Sequence, residues 1–136
     1  MDFVIDASIA AAWILEDEQS ELADRVIDSL VSKTAAAPSL WSLELANILI
    51  VAEKRERIDA AKRRLLAQGL QDLGVVEISW SQARVFGEVL SLAIKHRLSS
   101  YDASYLELAQ RLSVPLASLD HDLRKAAEAE HVPLWG

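Results

Sequence analysis

Cysteine is absent from the 136 residues, and glycine, proline and aromatics are scarce: four Gly, three Pro, four Trp, two Tyr and two Phe. Without cysteine the chain forms no disulfide and offers no thiolate to a metal or a substrate, a composition that fits the cytoplasm. None of the glycine-dependent signatures occurs: no GxGxxG, no GxxxxGK[ST] phosphate loop, no GxSxG elbow. No stretch reaches the roughly 18 consecutive apolar residues of a membrane span. The start lacks the basic residues and cleavage site of a secretory signal, since Asp2 and Asp6 flank its only apolar run. These absences predict one cytoplasmic domain over residues 1–136, with no membrane partner.

Charge is unevenly spread. The formal net charge of −7 argues against binding nucleic acid through global electrostatics. Yet Lys54 to Arg64 (KRERIDAAKRR) holds six basic and two acidic side chains, leaving −11 on the rest of the chain. Lys54, Arg55, Arg57, Lys62, Arg63 and Arg64 are therefore either candidates for steering a polyanion or the solvated ends of two helices.

Short apolar runs alternate with longer stretches of helical periodicity. Residues 2–6 read as a buried strand and SIAAAWIL as the helix after it. Residues 19–33 read as a helix facing the core through Leu22, Val26, Ile27, Leu30 and Val31. AAAP at 35–38 is a very short strand closed by Pro38. A helix follows from about Ser39, its N-cap, to Arg55, and another spans 59–73 with Leu65, Leu66, Leu70 and Leu73. Then come a strand at 75–78, a helix over 80–96 marked by Val85, Phe86, Val89, Leu90, Ala93 and Ile94, and a helix ending before Pro115. The chain closes with a strand at 116–119, a helix at 122–130 and an edge strand at 132–135. Such alternation predicts an α/β fold, an α/β/α sandwich with a short, mostly parallel central sheet. Ligands of such folds collect beyond the carboxyl ends of the strands, which puts Asp6 and Asp120 on one rim.

Four carboxylates stand in unusual settings. Asp6 and Asp120 each end an apolar run. Glu44 (SLWSLELANIL) has Trp41, Asn47 and Ile48 at helical-neighbour spacing, with no Lys or Arg three or four residues away. Asp102 (LSSYDASYLELA) shares a face with Tyr105, Leu106 and Ala109. Singly, Asp6 and Asp120 read as helix caps, Asp102 as half of a capping box with Ser99, and Glu44 as a buried polar contact. Together they read as a site. Two unit charges about 4 Å apart repel by ~4 kcal/mol at an effective dielectric of 20, so the cluster needs a counterion or protons. All-oxygen donors without His or Cys suit Mg²⁺ or Mn²⁺. His96, His121 and His131 have no ligand-like spacing and read as surface or partly packed residues. A hard cation facing a polyanion is the setting for phosphodiester hydrolysis.

In order and spacing, VIDAS, LELAN, SSYDASYLELA and ASLDHDL resemble the PIN-domain ribonucleases, and more narrowly the VapC-type toxins of toxin–antitoxin modules. The likeness spans the whole chain. It implies that Asp6, Glu44 and Asp102 form the metal-binding core and that Asp120 is the fourth acid, with Asp122 of the same DHD triplet as the alternative. It implies supporting roles for Ser8 and Asn47. It further implies an Mg²⁺- or Mn²⁺-dependent endoribonuclease with an RNA substrate, a homodimer, and neutralisation by a cognate antitoxin.

The main rival reading is a catalytically silent PIN-like module that docks a basic partner segment. A phosphotransfer enzyme with Asp6 as nucleophile would want a second Asp where Ser8 stands. The run Ile48–Ala52 (ILIVA) is either buried on all sides or part of a partner face. Trp13, Trp41, Trp80 and Trp135 read as core or interface residues.

Overall fold

The computed structural model describes residues 1–15 and 20–136. The first residue of the helix expected over 19–33 lies outside them. Four short strands form the sheet: β1 (Phe3–Ile5), β2 (Ala35–Pro38), β3 (Val76–Ile78) and β4 (Leu116–Ala117). Their order is β3-β2-β1-β4 and every pairing is parallel, with Val4 opposite both Ala36 and Leu116. Parallel neighbours require long crossovers, supplied here by helices. Phe3, Val4, Ile5, Ala35, Ala36, Ala37, Leu116 and Ala117 are all fully buried. That explains why these strands read as continuous apolar runs rather than alternating ones. This is the α/β sheet with flanking helices anticipated above.

The helices are α1 (Ala7–Ile14), α2 (Glu21–Ser29), α3 (Trp41–Lys54), α4 (Ala60–Asp72), α5 (Gln82–Arg84), α6 (Leu90–His96), α7 (Ser100–Leu112) and α8 (His121–Ala129). A π-helical turn, Val85–Val89, joins α5 to α6. α7 packs on β1, β2 and β4, and residues 103–109 are all buried. Glu107 is among them, and its carboxylate accepts from Arg84 at 2.9 Å and from Arg111 at 3.0 and 3.1 Å. A buried charge is tolerable only when paired in this way.

Several expectations need correction. Ser39 does not cap α3: Leu40 holds that position without a side-chain bond. The Glu77 carboxylate of β3 instead accepts from the Ser42 backbone N–H at 2.9 Å and from its hydroxyl, so a distant strand caps the helix. Val31 is exposed because α2 ends at Ser29 and a turn follows. The helix expected over 80–96 starts at Gln82, and its π turn resets the phase. Val89, Leu92 and Ala93 are consequently buried, while Phe86, Leu90 and Ile94 face outward. The strand expected at 116–119 stops at Ala117, and 132–135 reduces to one bridge, Leu116 to Leu134. The last helix begins at His121, so Asp120 rather than Asp122 is its cap. Ile50 is half exposed, so α3 is not buried on all sides.

Candidate active site

Asp6 follows β1 and is the N-cap of α1. Its Oδ1 accepts from the Ser8 N–H at 3.0 Å, the Ser8 hydroxyl at 2.5 Å and the Ile9 N–H at 3.4 Å. Its Oδ2 accepts from the Ser118 hydroxyl, just beyond β4. Asp120 is the N-cap of α8, accepting from the Leu123 N–H at 2.8 Å. Two serines bind these strand ends together. The Ser8 hydroxyl accepts from the Leu119 N–H at 2.8 Å, and the Ser118 hydroxyl accepts from the Asp120 N–H at 3.0 Å. Cap and site are one arrangement: the strand stops at Asp6 because α1 starts there, and its second oxygen faces the neighbouring strand's end.

Glu44 lies in the first turn of α3, where Tyr105 of α7 donates its hydroxyl to Oε1 at 2.8 Å. Asp102 lies in the first turn of α7, and its N–H donates to the Ser99 cap at 3.0 Å. Burial pushes the Asp6 carboxyl up to about 6, against four hydrogen bonds that favour the anion. Glu44 is raised chiefly by burial and further by the charge of Asp102, with the Tyr105 bond opposing. Asp102 is raised by burial first, then by the charges of Asp120 and Asp122, with Ser99 opposing. Asp102 thus links Glu44 to the Asp120–Asp122 end of the rim. Burial also raises the Tyr105 hydroxyl, reinforced by Glu44, Asp6 and Asp102, so it remains a proton donor.

No Lys, Arg or His pairs with Asp6, Glu44, Asp102 or Asp120 among the described residues. Their negative charge is uncompensated, and the all-oxygen donor set fits a hard divalent cation. The acids share a rim without closing a cage: no three His, Asp or Glu side chains form a ready ligand cluster among the described residues.

Ser8 joins the network directly. Asn47 is exposed and lines a hollow of about 260 Å³ with Leu15, Ile48, Val51, Arg55 and Arg57. It makes no side-chain bond to the acids. Lys54, Lys62 and Arg64 are exposed, and Arg63 pairs with Glu53. The sequence reading missed Ser118 and the role of Tyr105. The signals were present: Ser118 sits in SLD two residues before Asp120, and Tyr105 stands one helical turn after Asp102. A groove of about 590 Å³ between α3 and α4, lined by Trp41, Leu45, Leu49 and Leu70, contains none of the acids.

The model of the PIN domain matches residues 3–129 of this chain. Ribonuclease VapC3 of Pyrobaculum aerophilum is 29% identical over 133 residues, covering 98% of this chain and all of the relative. Ribonuclease VapC9 of Mycobacterium tuberculosis is 30% identical over 127 residues, 93% of this chain and 92% of the relative. The crystal structure of PAE2754 from Pyrobaculum aerophilum superposes with a TM-score of 0.68 at 22% identity, over 93% of this chain and 86% of that one. FitAcB from Neisseria gonorrhoeae gives 0.67 at 16%, over 98% and 96%.

Proposed function

The chain belongs to the PIN-domain family, among its VapC ribonucleases, and from that premise we propose that it is an endoribonuclease toxin dependent on Mg²⁺ or Mn²⁺. One observation carries the reading: two serines hold Asp6 and Asp120 at one rim, beside Glu44 and Asp102, and among the described residues no cation is seen to pair with the four acids.

Asp6, Glu44 and Asp102 would hold the metal, with Asp120 as the fourth acid and Asp122 beside it. Bound there, a divalent ion supplies a water of lowered pKa and offsets charge developing on the phosphate. Ser8 and Ser118 fix the Asp6 carboxylate, and Tyr105 fixes that of Glu44, so the oxygens are aligned before substrate arrives. Cleavage leaves a 5′-phosphate and a 3′-hydroxyl. Arg55 and Arg57, on the hollow shared with Asn47, steer the RNA backbone toward the acids.

Its partners are a cognate antitoxin and a second copy of the chain. The groove between α3 and α4 and the exposed Leu43, Ile50, Phe86 and Ile94 support protein partners. The test is cleavage of single-stranded RNA with and without Mn²⁺. Asp6→Asn and Asp102→Asn should each lower the rate by at least about 10²-fold while keeping the wild-type circular dichroism spectrum. Wild-type rates in both would remove the nuclease reading and leave a docking module.

A further inference from the structure

Beyond Asp122 the acidic rim meets a hollow of different character. His96, Arg97, Asp122, Lys125, Ala126 and Ala129 line a space of about 350 Å³ between the end of α6 and the start of α8. Ligand-sized pockets begin near this volume. Asp122 belongs to both places, since it lines this hollow and its charge reaches Asp102. Of its three basic groups, two are not used internally. Lys95 and His96 both bond Glu130 at 2.7 Å, but Arg97 and Lys125 have no side-chain partner among the described residues. Both are exposed.

The position of Arg97 sharpens the point. It ends α6 in the left-handed conformation, with φ +55°, where glycine is the favoured residue. A long basic side chain therefore stands where the backbone would be better served by none, and it lines a hollow against the acids.

We propose that this hollow is a phosphate subsite for the RNA strand, in which Arg97 and Lys125 hold a backbone phosphate next to the one being cut. The inference rests on the ribonuclease reading and deepens it. RNA approaching a row of carboxylates is repelled, and a pair of free cations directly past Asp122 offsets that repulsion. Arg97 and Lys125 line the hollow together with Asp122, so a strand held there runs on from the acidic rim.

The test uses full-length protein in a non-cleaving Asp6→Asn background. Binding of a short single-stranded oligoribonucleotide is followed by fluorescence anisotropy over a range of salt. Arg97→Glu with Lys125→Glu should weaken binding by roughly tenfold or more and flatten the salt slope by about one to two phosphate contacts. Arg25→Glu with Lys33→Glu makes the same charge change on α2 and the turn before β2, and should stay within about twofold. Equal losses in the two pairs, or RNA affinity unchanged in the Arg97/Lys125 pair whatever happens to partner proteins, overturns the subsite. Arg97→Gly in the otherwise wild-type protein adds a readout that a structural role would not give: Tm holds or rises while KM for RNA rises and kcat stays. An unchanged KM, or a fall in both Tm and kcat, counts against it. Wild-type protein that cuts RNA beside an unaffected Arg97/Lys125 variant rejects the subsite alone. Wild-type protein that never cuts RNA rejects the nuclease reading, and the anisotropy still reports on the hollow.

Discussion

Asp6 carries two duties that pull against each other. As a cap it anchors α1, and a neutral side chain would do that as well. As a buried anion it costs the fold, because burial lifts its carboxyl from 3.8 to about 6. The folded-state value lies above the unfolded one, so folding favours the proton. The group's contribution is full below about pH 4, declines as pH rises toward 6, and by neutrality the bare carboxylate costs roughly 3 kcal/mol. Asp6→Asn keeps a good cap and an acceptor for Ser8. Without metal it should melt above the wild type at pH 7.5 and alongside it at pH 4, a comparison that thermal melts at the two values make directly. A variant that is inactive yet more stable would show the acid retained at the fold's expense. Such a residue was visible in the sequence because a carboxylate ending an apolar run is locally unfavourable. Ser118 was harder to single out: its place two residues before Asp120 is only a weak signal, because a serine beside a strand carries no such conflict until its partner 112 residues away is known.

At the scale of elements, legibility followed locality. The buried parallel strands, the Ser99 cap and the long amphipathic helices depend on near neighbours, and the sequence showed them. The cap of α3 comes from Glu77 on β3, and the phase of α5–α6 depends on one π turn, so neither could be read from a local pattern. Close helix approach is a third case. Gly69 lies inside α4, where glycine to alanine ordinarily gains about 0.5–1 kcal/mol. Here an added Cβ would stand 2.7 Å from Cη2 of Trp13. Gly69→Ala should therefore destabilise, by about 1–3 kcal/mol in urea unfolding. A gain in stability would mean that the Trp13 ring gives way freely.

Across the whole molecule, Glu130 ties the end of the chain to its middle. It receives Lys95 and His96 of α6 at 2.7 Å and Gln110 of α7 at 3.4 Å. Lys95 and His96 hold its carboxyl down to about 2 through their hydrogen bonds and charge. This folded-state value is depressed, so the stabilisation is present above the unfolded value near 4.5 and is lost as pH falls toward 2. Lys95 is largely exposed, so solvent screens its share of the contact, and the effect is modest. Glu130→Gln should flatten the melting-temperature profile between pH 4.5 and 2, and a profile as steep as the wild type's would show that the contact is inert. Strand order has a wider consequence. β1 precedes β2 and β4 in the chain but lies between them, so Asp6 meets Ser118 only once the 112 residues that separate them have been made. A growing chain that stops short of β4 therefore lacks both the outer strand and Asp120. The rim of acids is thus assembled only when β4 joins β1, and every shorter nascent chain is without it.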